Sequence, residues 1–536
     1  MSQMPIRVAF RTDASVQIGT GHVMRCLTLA DELTRQGHQC GFVCREHEGH
    51  LGDLIASKGY GLTLLPSHSD SELVLKDRGS DNYALWLGVP WQEDARQTLD
   101  ALKAWKPDWL VVDHYALDAK WERALADAAG KIMVIDDLAN RPHECALLLD
   151  QNLGRAGSDY DGLVPVGCQR LIGPRYALLR PEFAKLREQS LKRRRNPELR
   201  RILVSLGGVD RTNATGRVLE ALSESALPRS TELDIIMGAA APYLDDVRQQ
   251  AARLPFQATV SVNVKDMAQR MCLADLSIGA AGSTSWERCC LGLPSIIVEI
   301  ADNQAGIVAA VVRAGAGIAP SGLHTSCFVH SFGKAVTKAI ELSRLKIMSN
   351  AASEICDGDG ASRSVQALIC KGISVRQALS DDAENVWRWR NDGGSTEFYL
   401  SQKKTKFIDH LVWFESALAS PERDLLIVEI GRASAAHVRF DRCLENKGAA
   451  EVSIYLNPDF RGRGLGAPIL IAACNFAFAK GLSLILAQVH IENTPSLKIF
   501  TRAGFKQLSI NGSFKALEMA RSTFSRIDVN IPKGAT

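Results

Sequence analysis

Residues 6–25 read IRVAFRTDASVQIGTGHVMR, which is a short apolar run, a glycine-rich turn and the start of a helical pattern. The run Ile6–Phe10 is typical of a buried strand, and Val23–Gln36 has the apolar spacing of an amphipathic helix. Strand, glycine turn and helix in this order are typical of one unit of a parallel α/β sheet. The stretch therefore predicts a doubly wound α/β domain.

Outward from this stretch, β-rich runs and helical patterns alternate to about residue 185, and the alternation restarts at about residue 200. Strands separated by helices pair in parallel through right-handed crossovers, so two Rossmann-like α/β units are predicted, over residues 1–185 and 200–360. Their ligand is expected in the cleft between them, beyond the carboxyl ends of the strands. The predicted strands are Ile6–Phe10, Gly41–Cys44, Trp109–Asp113, Lys131–Asp136 and Ala146–Leu149 in the first unit, and Arg201–Ser205, Thr231–Met237, Ala258–Ser261, Leu276–Gly279 and Ser295–Val298 in the second.

A third unit, at about residues 373–525, has an α+β pattern. Antiparallel strands are predicted first, followed by a glycine-rich turn, a helix at about 466–480, a strand at Leu484–Val489 and a last helix from about Thr494. The run Asp357–Ala361, which reads DGDGA, is expected to be a hinge before this unit. The predicted antiparallel strands are Leu425–Ile430, Ala435–Phe440 and Glu451–Leu456.

The composition argues against several classes of protein. A formal net charge of +3 over 536 residues gives no basic field that would favour nucleic acid. Apolar runs are interrupted before they reach membrane-spanning length, and no charged-then-apolar leader precedes Ile6, so a soluble protein is expected, without a membrane partner. The 13 cysteines are scattered without zinc spacing, which favours reduced thiols in the cytoplasm. The basic run Lys192–Arg195 is expected to be a solvated linker rather than a binding patch. The oligomeric state is left open.

The turn that leads into Gly21 and His22 offers a site for an anion and a base. Glycines let backbone amides approach a ligand closely, and a helix start presents unpaired N–H groups. His22 lies near the positive end of the predicted helix, which favours a neutral imidazole suited to removing a proton from water. The pattern by itself also fits a packing turn in which His22 is a cap or a hydrogen-bond partner, and both interpretations stay open.

Three turns of the second unit follow predicted strands. Ser205–Asp210 and Gly279–Glu287 contain the glycines that a pyrophosphate cradle needs, and Glu287 can accept hydrogen bonds from ribose hydroxyls. The turn Glu299–Gln304 supplies polar groups that can bind sugar hydroxyls. Each turn alone is more often structural, but their common place at the carboxyl ends of strands favours a nucleotide-sugar cleft.

These turns resemble those of the UDP-sugar hydrolases of pseudaminic acid biosynthesis, over roughly residues 5–360. Because that family is related to the two-domain glycosyltransferases of cell-wall assembly, the resemblance implies two Rossmann-like domains in a GT-B-like arrangement. It also implies that UDP is removed from a 2,4-diacetamido-2,4,6-trideoxy hexose by water attack at the anomeric carbon, with inversion and without a metal. His22 matches the catalytic histidine, and Asp13 matches a position on the sugar side. The residues implied to bind substrate or UDP are Gly21, Arg25, Gly207, Gly208, Gly282, Ser283, Thr284, Glu287, Asn303 and Gln304.

The sharpest local motif is Arg461–Gly466, which reads RGRGLG and fits R-x-x-G-x-G between a predicted strand and a predicted helix. Such a turn presents successive backbone amides and a helix start to a pyrophosphate, and its arginines add positive charge. The alternative is a basic surface turn. The strand before the turn, the helix after it and the later Asn493 and Gly504–Phe505 favour cofactor binding.

This third unit resembles the GNAT acetyltransferases. The resemblance implies that acetyl-CoA is the co-substrate, with its pyrophosphate on the glycine turn and its pantetheine arm along the strand that ends at Tyr455 and Leu456. In the acetyltransferase of the same pathway, a segment like Trp387–Asn391 contributes to the acceptor side, and an aromatic core helix is the alternative for that segment. The residues implied to bind the cofactor are Leu456, Arg461, Gly462, Arg463, Gly464, Leu465, Gly466 and Asn493.

One departure from the GNAT pattern concerns the general acid. Many members have a tyrosine that protonates the departing thiolate where this chain has Phe500. Tyr455, His490 and a water relay are the candidates that remain for the acid, and Glu451 is a candidate for the base that deprotonates the amine.

Together, the two resemblances predict a bifunctional enzyme. Acetyl-CoA would acetylate the 4-amino group of a UDP-sugar, and the diacetylated product would then lose UDP. Two alternatives stay open: a glycosyltransferase that passes the sugar to an acceptor, and a third unit that only senses acetyl-CoA. Acceptor-independent release of UDP would exclude the first alternative, and acetyl transfer to the amino sugar would exclude the second.

Overall fold

The computed structural model describes residues 6–67, 83–301, 304–392, 404–431, 433–443, 446–462 and 464–521. The strands of these residues form three sheets, one for each unit expected from the sequence. No helix in the described ranges is long and apolar enough to cross a membrane.

The first sheet has seven strands in the order β3-β2-β1-β4-β5-β6-β7, and its neighbouring strands pair in parallel. The central strand β4 is buried along its whole length because helices cover both faces of the sheet. The strands predicted for this unit are confirmed, whereas β3 and β7 were not predicted. The elements are β1 (Arg7–Thr12), α1 (Gly21–Arg35), β2 (Gln39–Arg45), α2 (Gly52–Ser57), β3 (Gly61–Leu65), α3 (Trp91–Leu102), β4 (Trp109–Asp113), α4 (Ala119–Ala124), β5 (Lys131–Ile135), β6 (Leu147–Asp150), β7 (Gln169–Ile172) and α5 (Pro181–Arg193).

The second sheet has six strands in the order β10-β9-β8-β11-β12-β13, also parallel. The two sheets confirm the predicted pair of doubly wound Rossmann-like units. The elements are β8 (Arg201–Ser205), α6 (Ala214–Ser223), β9 (Glu232–Met237), α7 (Leu244–Ala251), β10 (Gln257–Val262), α8 (Met267–Leu273), β11 (Leu276–Ala280), α9 (Thr284–Cys290), β12 (Ser295–Val298), α10 (Ala305–Arg313), β13 (Gly317–Ile318), α11 (Phe328–Ala339), α12 (Leu342–Ile355) and α13 (Gly360–Gly372).

The basic run between the two units is not a solvated linker. Arg194 is only 5% exposed, and its guanidinium donates to the carbonyls of Met271, Ala274 and Leu291. Arg193 forms an ion pair with Asp275, 2.5 Å from nitrogen to oxygen. The run therefore fastens the end of α5 to the second unit.

The segment expected to be a hinge is tightly packed. At Gly360 the backbone carbonyl of Ala177 lies where a Cβ would be, and a Cβ on Gly358 would meet Ala184 at 2.9 Å. Asp357 forms a bidentate ion pair with Arg363 in the next helix. Here the chain crosses back to the first unit, where α13 packs on α1. This packing does not fit the hinge that the glycine content suggested, because each glycine serves close approach.

The third sheet has seven strands in the order β14-β15-β16-β17-β18-β20-β19. Its pairs are antiparallel except β17 with β18, which pair in parallel over Ala449–Glu451 and Leu484–Leu486 only. Beyond Glu451 the two strands have no further pairs, so a groove opens between them. The elements are β14 (Ile373–Gln377), α14 (Ala383–Asn391), α15 (Phe407–Leu418), β15 (Arg423–Ile430), β16 (Ala433–Cys443), β17 (Asn446–Leu456), α16 (Gly466–Ala479), β18 (Leu484–His490), α17 (Thr494–Ala503), β19 (Lys506–Asn511) and β20 (Phe514–Ala520).

The first and third units share one hydrophobic core. Buried side chains of β1 and α1, of α13, and of β15, β16 and α16 form a single cluster. Polar contacts close the same junction: Lys131 donates to the carbonyl of Lys371, and Lys371 donates to that of Gly167 at 2.9 Å. The third unit is therefore packed on the first through α13.

Candidate active sites

A cavity of about 210 Å³ lies between the first and second units. The first unit contributes His22, Arg25, Trp86, Tyr115 and Asn152 to its wall. The second unit contributes Gly282, Ser283 and Gln304. Most of these residues follow the carboxyl ends of β4, β6, β11 and β12 or start α1, as expected for a ligand site in doubly wound sheets.

His22 forms a dyad with a buried carboxylate. Its Nδ1 lies 2.6 Å from Asp113 Oδ1, and Asp113 has no exposed surface. Burial alone would raise the pKa of Asp113, but Arg25 and His22 hold that pKa below its ordinary value, so the carboxyl is ionised. An ionised carboxylate at Nδ1 keeps a proton on that nitrogen and leaves Nε2 to accept a proton.

Arg25 holds the same carboxylate from the next turn of α1. It donates to Asp113 through Nε at 2.6 Å and through NH2 at 2.7 Å, and its NH1 donates to Asp137 at 2.5 Å. Tyr115 also donates to Asp137, at 2.8 Å. Because its N–H groups are directed at two carboxylates, Arg25 is suited to position the dyad more than to bind phosphate.

Aromatic rings form one side of the cavity. Tyr115 meets His22 edge-on at 4.6 Å between ring centroids, and Trp86 stacks on Tyr115 at 5.7 Å. Tyr83 packs edge-on against both Trp86 and Tyr115. These rings exclude water from one side of the imidazole and offer an apolar surface to a ligand.

Asp13 lies away from the cavity. It is fully buried, accepts from Arg11 at 2.6 Å and from the Arg45 amide at 2.7 Å, and its Oδ2 faces His114 at 3.4 Å. The Ala116 amide donates to Nδ1 of His114, so this neutral histidine carries its proton on Nε2, towards Asp13. The structure thus places Asp13 in an ionic cluster beneath the site, where it can stabilise the turn but does not contact a ligand in the cavity.

The second unit supplies the wall opposite His22. Gly282 and the exposed Ser283 lie immediately before α9, and a helix start can bind an anion. The Ser285 and Trp286 amides already donate to the Gly282 and Ser283 carbonyls, so the donors for an anion are the amides before them. Gln304 also lines the cavity, with its Oε1 accepting from the Ile300 amide. Asn303 lies outside the described residues.

Thr284 and Glu287 lie within α9 and do not line the cavity themselves. Thr284 Oγ1 accepts from Arg288 at 3.4 Å. Burial raises the pKa of Glu287 to about 7, against the opposing charge of Arg180, whose NH2 lies 3.8 Å away. A carboxyl in this state can hold a proton or accept a hydrogen bond near neutral pH.

Gly207 and Gly208 do not line the cavity. They form a turn in which the Gly208 carbonyl accepts from the Gly238 amide at 2.9 Å. The start of α6 that follows is already capped, because Asp210 accepts from the amides of Ala214 and Thr215 and Asn213 accepts from that of Gly216. Those amides are therefore not available to an anion.

Several residues of this site were not found from the sequence. Asp113 is the last residue of β4, Tyr115 follows that strand, Asp137 follows β5, and Trp86 lies in the connection between β3 and α3. The signal that could have found the first three is their place at the carboxyl ends of predicted strands. Trp86 carries no such signal.

The third unit has a groove of about 670 Å³ that is lined by the end of β17, the turn before α16 and the start of α17. Tyr455 and Leu456 lie along it, the turn from Arg461 closes one end, and Asn493 with Ser496 lies opposite. β17 and β18 separate after Glu451, so β17 has no ladder pairing with β18 beyond that residue. A narrow arm with amide groups can pair with such an open strand.

The glycine turn has the backbone that an anion cradle needs. Gly462 and Gly464 have φ of 73° and 74°, a region that side chains avoid, and α16 begins at Gly466. The Arg461 guanidinium is directed inward, to the Leu456 carbonyl at 3.0 Å and to Asp392 at 2.5 Å. Leu465 is buried beneath the turn, and Arg463 lies outside the described residues.

Two groove residues, Asn493 and Tyr455, and the nearby Phe500 of α17 have defined contacts. Asn493 caps α17 by accepting from the Ser496 amide at 3.1 Å, so its oxygen serves the fold. Tyr455 stacks on His437, and burial lowers the pKa of that histidine to about 3. Phe500 is 4% exposed and packs edge-on against Phe505.

Glu451 is the last residue of β17 that pairs with β18. It pairs across the sheet with Asp441 on β16, and it is half-buried. Burial, and then the charge of Asp441, raises the pKa of Glu451, while Arg439 opposes them. In the described part of the chain no ion pair is formed by Glu451, whereas Asp441 is paired with Arg423 and Arg439. Glu451 is therefore the carboxylate of this pair that is available to take a proton.

The segment Trp387–Asn391 belongs to α14. Trp389 is buried in the core, which fits the aromatic-core alternative, while Trp387 and Asn391 donate to the Thr405 carbonyl at 2.7 and 3.0 Å. Across the residues that the structure describes, no cluster of three or more His, Cys, Asp or Glu side chains could hold a metal ion.

Comparison with known proteins agrees with these features. The chain is 28% identical over 267 residues to the UDP-2,4-diacetamido-2,4,6-trideoxy-beta-L-altropyranose hydrolase of Campylobacter jejuni, covering 50% of this chain and 81% of that protein. It is 30% identical over 317 residues to the spore coat polysaccharide biosynthesis protein SpsG of Bacillus subtilis, covering 58% and 83%. The family described as "Acetyltransferase (GNAT) domain" matches residues 373–506. The crystal structure of Acinetobacter baumannii MurG superposes with a TM-score of 0.50 at 16% identity, over 68% of this chain and 99% of that one.

The fold and the two sites define a GT-B-like, UDP-sugar-hydrolase-like enzyme fused to a GNAT acetyltransferase. The chain belongs to the family of the spore coat polysaccharide biosynthesis protein SpsG, is similar to the Campylobacter hydrolase, and has a GNAT domain after α13.

Proposed function

We propose that the first two units hydrolyse a UDP-linked 2,4-diacetamido-2,4,6-trideoxy hexose at the C1–O bond, with inversion and without a metal. The observation that carries this proposal is the His22–Asp113 dyad, which faces the Gly282–Ser283 turn across one cavity. The dyad supplies a base for water, and the turn supplies N–H donors for a diphosphate.

In the proposed reaction, water gives its proton to Nε2 of His22 as its oxygen attacks the anomeric carbon. Asp113 stabilises the imidazolium that forms, and Arg25 keeps Asp113 in place. The C1–O bond breaks, and its electron pair leaves with UDP, whose charge is met by the amides at the start of α9. A single displacement places the new hydroxyl opposite the leaving group, so the anomeric configuration is inverted.

The aromatic side of the cavity suits this sugar. A 2,4-diacetamido-2,4,6-trideoxy hexose carries a methyl group at C5 and two acetyl methyl groups, which are apolar. Trp86 and Tyr115 offer such groups a surface beside the base. Gln304 and Asn152 are two polar residues of the same cavity that can form hydrogen bonds with the acetamido substituents.

The third unit is proposed to acetylate the 4-amino group of the UDP-sugar precursor. Acetyl-CoA lies in the groove at the end of β17, with its pyrophosphate on the turn from Arg461 to Gly466. Glu451 and Tyr455 are about 13 Å apart along β17, at about 3.3 Å per residue, and the thioester lies between them. Glu451 takes a proton from the amine, directly or through water, as nitrogen attacks the thioester carbonyl. Tyr455 is the candidate to protonate the thiolate, because Phe500 has no hydroxyl.

The test is an incubation of the full chain with the UDP-4-amino sugar, with and without acetyl-CoA, read by mass spectrometry. We expect an acetylated UDP-sugar first, and UDP with free sugar afterwards, only when acetyl-CoA is present. The variant His22→Ala should accumulate the acetylated UDP-sugar, and Glu451→Gln should leave the substrate unchanged while still hydrolysing a supplied diacetamido compound. UDP release that needs an added acceptor would instead support a glycosyltransferase.

A further inference from the structure

Asp136, Asp150 and Tyr160 form a cluster behind the hydrolase cavity that takes no part in the steps above. All three residues have no exposed surface. The Tyr160 hydroxyl lies 3.0 Å from Asp136 Oδ2 and 2.9 Å from Asp150 Oδ2. A tyrosine hydroxyl has one hydrogen and donates to one oxygen only. The second short contact therefore needs a proton on one of the two carboxyl groups.

The surroundings of Asp136 favour its ionised form. Its carboxylate accepts from Arg141 NH1 at 2.7 Å and from the Ala139 amide at 2.8 Å, and His143 Nε2 lies 3.9 Å away. Burial opposes ionisation, but Arg141 and His143 hold the pKa of Asp136 below its ordinary value.

The surroundings of Asp150 favour its protonated form. Burial and the nearby charge of Asp137 raise the pKa of Asp150 to about 7. Arg155 Nε lies 3.2 Å from Asp150 Oδ2, but the Arg155 guanidinium donates to the carbonyls of Asp137 and Leu138. The groups that face Asp150 are thus Tyr160 and Arg155, with Asp136 and Asp137 as nearby negative charges.

We infer that Asp150 is held protonated, donates to Tyr160, and thereby positions the two cavity-lining segments 137–138 and 151–152. The inference rests on the proposed hydrolysis for its functional part. Asp150 is a positioning residue, since it contacts no ligand site directly.

The contacts that link Asp150 to the dyad are all short. Asp150 Oδ1 accepts from the Asn152 amide at 2.9 Å, which shapes the turn after β6. Arg155 fastens the carbonyls after β5 at 3.1 and 2.9 Å, and Asp137 in that segment accepts from Arg25. If Asp150 loses its proton, a third negative charge appears beside Asp136 and Asp137. Arg155 is then drawn from the two carbonyls towards Asp150, and Asp137 no longer holds Arg25 in position.

Asp150→Asn is the variant that tests this inference, because an amide NH2 donates to Tyr160 at every pH. We expect wild-type kcat/KM for hydrolysis to fall as pH rises through about 7, approaching ten-fold per pH unit above it. In Asp150→Asn this decline at high pH should be absent, while the dependence of kcat/KM at low pH should stay as in the wild type. An unchanged decline in the variant would overturn the positioning role.

Unfolding by denaturant, without substrate, locates the proton independently of catalysis. Wild-type stability should fall as pH rises between about 4 and 7, since Asp150 binds a proton in the folded state there but not in the unfolded chain. Asp150→Asn should remove the part of this dependence that comes from Asp150 and leave the part from Glu287, whose pKa burial also raises to about 7. The matched variant Asp136→Asn should be less stable at every pH but keep both parts. The reverse pattern would place the proton on Asp136 and contradict the inference. If wild type hydrolyses nothing, the proposed function fails, and the unfolding comparison still decides where the proton lies.

Discussion

Asp113 accepts hydrogen bonds from both His22 and Arg25, so one carboxylate orients the proposed base and is itself fixed. The dyad has the geometry in which a carboxylate selects the tautomer of a catalytic imidazole. His22 and Arg25 belong to the motif at the start of α1, but the carboxylate that orients them does not. The partner lies on β4, far along the chain from the turn that carries the histidine.

Replacement of Asp113 by Asn should lower kcat for UDP release by about 10²–10⁴-fold, because an amide does not stabilise the imidazolium. The measurement is UDP release from the diacetamido UDP-sugar. Asp118→Asn is the matched control, since Asp118 caps α4 at its Lys120 amide and Asn caps equally well. Equal activity of the two variants would contradict the dyad.

The pH profile of acetyl transfer should show a decline at low pH that depends on Glu451. Because burial and Asp441 raise the pKa of Glu451, protonation removes the base as pH falls, and kcat/KM for acetylation should decline at low pH. Glu451→Gln should lower kcat about 10²–10³-fold and lose this limb. Coenzyme A release monitored by a thiol reagent measures the rate, and hydrolysis of UDP-sugar by the same variant serves as the control. A full-rate Gln variant would exclude Glu451 as the base.

At the scale of elements, the turn between β17 and α16 combines two left-handed glycines with a helix start. The same turn follows the strand whose pairing with β18 stops at Glu451. Turn and open strand edge together make a site for an extended molecule with a charged end, which neither element makes alone.

Gly464→Ala should weaken acetyl-CoA binding by about 5–30-fold, because a left-handed conformation costs an L-residue about 1–2 kcal/mol and the turn would relax. Calorimetric titration with acetyl-CoA measures the effect. Gly481→Ala is the matched control: Gly481 also has positive φ and open space around it, but it ends α16 away from the groove. Gly481→Ala should lower stability without changing the affinity for acetyl-CoA. If Gly481→Ala weakened acetyl-CoA binding and Gly464→Ala did not, the proposed pyrophosphate cradle would be contradicted.

At the scale of the whole molecule, α13 joins the two activities mechanically. It begins at Gly360, packs on α1 and leads directly into β14 of the third sheet. Since its buried residues belong to the core shared by the first and third units, these units should unfold as one cooperative block.

Leu368→Ala in α13 should lower the free energy of unfolding of the first and third units together by about 2–5 kcal/mol, because Leu368 is fully buried in their shared core. Thermal inactivation of hydrolysis and of acetyl transfer should shift to lower temperature in parallel. Leu345→Ala is the control, because Leu345 is buried in the separate core of the second unit. That variant should lower the inactivation temperature of hydrolysis only. A separate shift of one activity in Leu368→Ala would show that the units unfold independently.

Local patterns were sufficient for the order of elements, the three units, the His22 turn and the Arg461–Gly466 turn. Hydrophobic periodicity and glycine-rich turns extend over only a few residues, so they can be recognised in a short stretch of sequence. The same reasoning expected a hinge at Asp357–Ala361 and a solvated run at Lys192–Arg195. The hinge expectation was wrong because a glycine that allows motion and a glycine that allows close packing look alike in sequence. The linker expectation was wrong because the carbonyls that bind the Arg194 guanidinium come from distant segments of the chain.

Contacts between distant strands were decided by the tertiary structure alone. Parallel strands that lie far apart in the chain bring Asp113 and Asp137 to α1, place Asp13 beneath the site and leave Gly207 and Gly208 outside the cavity. The pairing of Tyr160 with two carboxylates belongs to the same class. Such contacts depend on register and burial across the whole sheet, and no short pattern encodes them.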